Sequence, residues 1–403
     1  MFKILDIKHF LFFIYLLTIF DIFTLTPLSV LANIFLFLFS VYGLYLFFIK
    51  KMYKNKFFKY IFIVINLLFF LGVISSFLFL KQDIYSGILA SIRVFNSFSI
   101  FVYLLWIQNQ DINIDKVFRK LFNFIWIYLI FLIIASVLGL TFVFISPISG
   151  NELVTDASKI GKNIFWFGEC YFLVKYVLKN NSLYLFKFLL IFIGTQIQDI
   201  QRGDILVLAV TIFFILFKFS DKKSVKKMYL LAPIFTFFLL ILFSGSNLSK
   251  TVNEKFNQIF MLLDQSKVPK IDDPSVFIRL EEIDFAVSKF VESPIFGNGL
   301  IRTSKKEQLI GDIYFYPDDI GIIGILFSFG FMGIIIYIYI AKKLFKISIR
   351  DNSILYTGLY VYLFYILIYT LKNGTILYNP ARYLFFLSLL TLYQKTKFNF
   401  LRK

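Results

Sequence analysis

Four arginines and four carboxylates stand where this 403-residue chain has few other reasons to hold charge. Arg202 lies in the turn QDIQRGD between two apolar stretches, and Arg279 on an amphipathic segment that opens with Pro274. Arg93 stands about two helical turns inside an apolar run, and Arg302 follows a Gly-x-Gly turn. A guanidinium grips phosphate through two parallel N–H bonds and keeps its charge at any working pH. Asp318, Asp319, Glu282 and Glu169 are the matching carboxylates, the type that takes a proton from an attacking hydroxyl. The two sets together suit transfer of a group from a lipid diphosphate, with arginines carrying the charge of the departing diphosphate. No metal or other cofactor is required by that chemistry.

Each candidate also has a plainer reading. Arg93 and Glu169 are able to neutralise one another inside the membrane, where an unpaired ion costs several kcal/mol. Lys175 and Arg382 are expected to snorkel towards an interface. Asp318 or Asp319 is expected to cap the helix that follows, and the Arg279 segment to be a packed lid with solvated charges.

The elements that must position these groups follow from composition. Hydrophobic residues make up 59% of the chain, 57 residues are Phe and the mean hydropathy is +0.80. No soluble core has room for that, whereas apolar stretches of about 20 residues fit bilayer-spanning helices. With Cys170 the single cysteine and His9 the single histidine, an internal disulfide, a thiolate or His-based metal site and a Ser-His-Asp triad are excluded. The net charge of +18 sits in short clusters, such as Lys50, Lys51, Lys54, Lys56 and Lys59 or Lys342, Lys343, Lys346 and Arg350. Sparsely basic loops alternate with these clusters, which is the positive-inside pattern; membrane lipids are sufficient partners and nucleic acid is not expected.

Taking the basic clusters as cytoplasmic predicts an all-α polytopic membrane protein of about twelve spans, with both termini inside. The spans fall near 10–26, 29–49, 60–80, 86–107, 121–145, 163–178, 184–198, 203–218, 228–246, 319–341, 353–371 and 382–394. The basic N-terminal residues precede an apolar run with no small-residue cleavage site, so a retained first helix is expected. The whole chain reads as one integral membrane domain, with a long, partly helical extracytoplasmic loop over 247–318 between the ninth and tenth helices. Between 246 and 319 lie 12 of the chain's 24 carboxylates. A surface-lying helix is expected through Val252, Phe256, Ile259, Phe260 and Leu263. A second begins with Asp273 as N-cap and Pro274 at the first helical position. Its apolar stripe is Phe277, Leu280, Ile283, Val287 and Phe290, with Arg279, Glu282 and Lys289 off it, and Pro294 and Gly297-Asn298-Gly299 end it.

This order of parts resembles the O-antigen polymerase and O-antigen ligase superfamily of bacterial surface-polysaccharide synthesis. The residues that carry the resemblance are Gln201-Arg202-Gly203, Arg279 with its helix, Pro294-x-x-Gly297-Asn298-Gly299, and Asp319-Ile320-Gly321-Ile322-Ile323-Gly324. The topological likeness spans the chain, while the residue-level likeness is confined to about 190–330. It implies an enzyme of the bacterial plasma membrane that moves a glycan from undecaprenyl diphosphate to an acceptor on the outer side. Arg202 and Arg279 match arginines implicated there in holding the diphosphate; Arg93 and Arg302, with Glu169 and Glu282, would complete the substrate site. The ligases carry a functional histidine before the tenth span, where this chain reads IYFYPDDIG. The resemblance therefore implies a polymerase whose acceptor is another undecaprenyl-linked repeat unit, with a flippase and a chain-length regulator as partners. A ligase and a lipid-linked oligosaccharide flippase stand as alternatives, although a flippase calls for two similar halves around a charged centre. A glycosyltransferase using a polyprenyl monophosphate would carry paired acids in the first outward loop, which holds only Asp21 at its edge.

Overall fold

The computed structural model describes residues 4–23, 28–138, 141–145, 152–156, 162–198, 202–219, 274–302, 315–348 and 353–400. In chain order the first helices are α1 (Ile4–Ile19), α2 (Ser29–Ile49) and α3 (Lys56–Phe79). Then come α4 (Ile84–Ala90), α5 (Ile92–Phe95), a 3-10 turn (Asn96–Ser99), α6 (Ile100–Gln108) and α7 (Ile114–Val137). An antiparallel hairpin of β1 (Thr141–Ile145) and β2 (Glu152–Asp156) precedes α8 (Lys162–Lys179), α9 (Ser182–Gln198) and α10 (Arg202–Phe219). The final group is α11 (Pro274–Glu292), a 3-10 turn (Pro317–Ile320), α12 (Gly321–Phe345), α13 (Ile354–Asn373), α14 (Thr375–Tyr378) and α15 (Pro380–Phe400).

This is a helical membrane protein. Five of the described helices, α2, α3, α7, α12 and α13, are long and apolar enough to cross a bilayer. Their outward faces carry large apolar side chains, such as Phe37, Leu38, Phe70, Ile127 and Ile335, where a water-soluble bundle would carry polar ones. Among the described residues the count by length and hydropathy is thus five, or six with one bent pair, against the twelve that charge alternation predicts for the chain. The physical reasons are local. Helix α8 holds Lys162, Glu169, Lys175 and Lys179, α9 carries Lys187, and α10 carries Asp204 and Lys218. The surface-lying helix expected over 252–263 and the ninth expected span lie outside the described residues.

Two expected spans are interrupted. The stretch 86–107 is a broken helix: α4 meets the α5–α6 segment at a bend of 54°, with Ser91 at the break. The stretch 121–145 leaves the helix at Val137, and its last residues, TFVFI, pair as β1 with β2, in line with a β-branched and aromatic run.

Helix α13 is the centre of the bundle. It packs on α8, α10, α12 and α15, and every residue from 359 to 367 is buried. A helix apolar all round is expected to be enclosed in this way. A second, smaller core joins α11 to α12 through Ala286, Ile301, Phe315, Ile320 and Phe327. It fixes α11 against the bundle and rotates it away from the expected stripe. Glu282, Ala286 and Ser293 are buried, whereas Val287 is 48% exposed.

Candidate functional site

Helix α12 is broken at Gly330, whose φ of +59° and ψ of −156° are non-helical. Such a break inside an apolar helix frees backbone groups that must find partners. The Pro294-x-x-Gly297-Asn298-Gly299 loop supplies them. The amides of Asn298 and Gly299 donate to the carbonyls of Phe327 and Ser328 at 2.6 and 2.9 Å. The amides of Phe331 and Met332 donate back to the carbonyls of Pro294 and Ile295 at 2.8 and 3.1 Å. Gly297 and Gly299 have φ of +71° and +86°, and a Cβ on either would collide with backbone: that of Gly330 for the first, Ser76 and Gly72 for the second. The glycines are therefore required by this splice, which also pins the end of α11.

What the splice positions is an ion triad. From α11, Arg279 donates through Nη1 to Glu282 Oε2, and its Nη2 lies 2.6 Å from Asp319 Oδ2. The Glu282 side chain is 0% exposed, and its Oε1 accepts the Tyr316 amide at 2.9 Å. Arg279 and Asp319 remain 42% and 38% exposed. Partial burial works against the Arg279 charge, but Asp319 and Glu282 beside it outweigh that and raise its pKa above the ordinary value. Against expectation, neither Asp318 nor Asp319 caps α12; both lie in the preceding 3-10 turn, and no side chain caps that helix. Asp318, half-buried in the same turn, lies within electrostatic reach of Tyr378.

The other candidates are distributed around the same end of the bundle. Arg302 Nη1 lies 3.2 Å from Ser86 Oγ, and its amide donates to Gln82 Oε1. Glu169, buried in α8, accepts from Thr195 Oγ1 at 3.0 Å. Among the described residues it forms no ion pair with Arg93, which is exposed on α5, so the two do not neutralise each other. The backbone of Arg202 opens α10; its side chain lies outside the described residues. Two residues on, Asp204 pairs with Lys372 at 2.7 Å.

Arg382 does not snorkel. It is 3% exposed at the start of α15, and its Nη2 lies 3.5 Å from Asp21 Oδ2, which also accepts from Asn163 at 2.6 Å. Tyr369 on α13 lies beside the Asp204–Lys372 pair, its ring centre 5.2 Å from the Lys372 ammonium. Sequence reasoning missed Lys372, Tyr369 and the Asp21–Arg382 pair. The available signal was Lys372-Asn373-Gly374, a polar break just after an apolar span.

Arg279, Glu282 and Asp319 are thus brought into direct contact; Arg93, Arg302 and Glu169 are not part of that contact. The triad can hold an anion at one exposed guanidinium and accept a proton at one exposed carboxylate. Among the described residues no group of three or more His, Cys, Asp or Glu side chains is arranged to hold a metal ion. Comparison with family models, with curated proteins and with solved structures finds no match for this chain.

Proposed function

We propose that this protein is a polysaccharide polymerase of a bacterial plasma membrane. It transfers a growing glycan from undecaprenyl diphosphate onto an undecaprenyl-diphosphate-linked repeat unit at the outer face. The observation that carries the reading is the Arg279 triad, a half-exposed guanidinium held by one fully buried and one exposed carboxylate. Supporting it is the gathering of Asp204, Lys372, Asp21 and Arg382 at the same end of the bundle. The full topology in this reading has twelve spans, both termini cytoplasmic and the triad facing outward.

The three groups of the triad divide the work. Glu282 is a positioning residue: both its oxygens are occupied, and no water-exposed face remains for proton transfer. Arg279 binds the donor diphosphate, and Asp319 is the base. With all three ionised the triad carries one net negative charge, which repels a diphosphate. Arg202, whose backbone opens α10, is the second cation assigned to the diphosphate, as the resemblance implies. In the reaction the acceptor oxygen bonds to C1 of the donor sugar. The bond from C1 to the diphosphate oxygen breaks with its electron pair, and the hydroxyl proton passes to Asp319. A protonated Asp319 loses its hold on Arg279 as charge develops on the diphosphate, so the guanidinium is released to the leaving group when it is needed.

The test is a gel of surface polysaccharide from a strain lacking this protein, complemented with wild type or Arg279→Ala. Single repeat units without a ladder, at unchanged protein level in the membrane, are expected for the variant. A normal ladder from Arg279→Ala sinks the assignment. Long polymer retained on its lipid carrier, with only the final transfer failing, favours a ligase.

A further inference from the structure

The broken helix of the expected fourth span opens a second site, apart from the triad. A cavity of about 230 Å³ lies between the end of α1, the start of α2, the α5 break and the loop before α15. Its wall includes Asp21, Phe23, Asn33, Arg93, Asn96 and Asn379. Asn96 lines it from the 3-10 turn that follows α5. Only 3% exposed, it has an Oδ1 without a hydrogen-bond partner among the described residues. Buried amide oxygens are almost always satisfied, so this one is an acceptor available to a donor in the cavity, a water or a ligand hydroxyl. Irregular backbone at membrane depth is tolerated where it lines such a cavity.

The chemistry of the wall selects the ligand. Three carboxamides each offer one acceptor and two donors, which matches hydroxyls that are themselves donor and acceptor. Asp21 adds an acceptor, Arg93 a donor, and Phe23 an apolar surface suited to the C–H face of a ring. Charge of both signs shares the wall, for Arg93 and Asp21 both line it, and the neutral carboxamides outnumber either. The volume lies below the roughly 300–1,000 Å³ of sites for drug-sized ligands, so it suits a single ring rather than a long segment. We infer that this cavity is a carbohydrate pocket that takes one neutral sugar ring of the saccharide substrate. The identification of the saccharide as substrate rests on the polymerase reading; the sugar-binding chemistry of the wall does not. Asp21 is shared with Arg382.

The experiment uses the full chain in lipid nanodiscs and saturation-transfer NMR. The probes are phosphate-free oligosaccharides released by mild acid from the strain's own surface polysaccharide, with free glucose, galactose and N-acetylglucosamine as simpler rings. Asn33→Ala and Asn379→Ala, at exposed and half-buried positions, are combined in one variant to spare the buried Asn96. Wild type and Arg279→Ala are expected to bind alike, and the double variant roughly tenfold more weakly, about the loss of one to two hydrogen bonds. Equal binding by the double variant, or none by wild type, overturns the pocket. Displacement of the oligosaccharide by inorganic pyrophosphate, lost in the double variant, overturns it in favour of a phosphate site. Failure of the polymerase reading would show separately, as a normal ladder from Arg279→Ala.

Discussion

The two ends of the helix bundle hold their charges in different ways. At one end lysines lie over aromatic rings: Lys218 is 4.1 Å from the Tyr360 ring centre, Lys175 4.3 Å from Tyr184 and Lys343 5.0 Å from Tyr60. Lys8 sits over Trp106 and also pairs with Asp111. At the other end the cations meet carboxylates, in Arg279–Asp319, Lys372–Asp204 and Arg382–Asp21, and the one lysine among them also lies 5.2 Å from the Tyr369 ring centre. A lysine over a ring keeps its head near water and gains about 0.5–1 kcal/mol. A buried guanidinium has no such outlet and must be paired, at a desolvation cost its partner only partly offsets. The carboxylate end spends stability to hold charge in place, and that is the signature of a site.

The comparison is broken or sharpened by substitutions at both ends. The largest effect is expected from Asp319→Asn, which keeps the shape of the turn but removes the base. Polymer formation in membranes should fall roughly 100- to 10,000-fold, with donor binding nearly unchanged. An equal loss in binding and in rate would make Asp319 a structural partner of Arg279 and nothing more. Next is Arg382→Ala, which strands the Asp21 carboxylate. Unfolding of the nanodisc-held protein should become easier by about 3–5 kcal/mol. Gly330→Ala is third: its positive φ alone costs about 1–3 kcal/mol, and the added Cβ meets the Ile295 carbonyl. The unfolding temperature should drop, while helical Gly358, where an added Cβ would come 3.1 Å from the Tyr171 ring and need a shift of only a few tenths of an ångström, should tolerate the same change better. The smallest effect is expected from Lys343→Ala at the lysine end, about 1 kcal/mol or less in the same unfolding assay. A loss there as large as that of Arg382→Ala would erase the distinction between the two ends.

Particular residues show how far the sequence is legible. Pro274 opens α11 as read, and the Pro-x-x-Gly-x-Gly segment follows its end. The face of α11 is not legible, because Glu282 and Val287 exchange the places that periodicity assigns them. An amphipathic stripe predicts burial against a flat apolar surface, whereas this helix docks on a turn that offers the Tyr316 amide to a carboxylate. Arg382 reads as a snorkelling residue because nothing near it in the chain is acidic; its partner, Asp21, ends α1 at the far end of the sequence. The break near Ser91 had a signal in the polar run Ser91, Asn96, Ser97 and Ser99, diluted by apolar neighbours.

By itself the sequence determined the class of the protein and the inventory of its charges. An excess of apolar residues has no stable state in water other than aggregation, and the few ionisable groups are countable. Which of those groups touch was decided only by the tertiary structure. Arg279 and Asp319 are 40 positions apart, and Asp204 and Lys372 are 168 apart. Local periodicity carries no information about such pairs. They form because unwound α12 must recover its backbone hydrogen bonds from a loop, and because a cation at membrane depth must find an anion wherever the packed helices bring one.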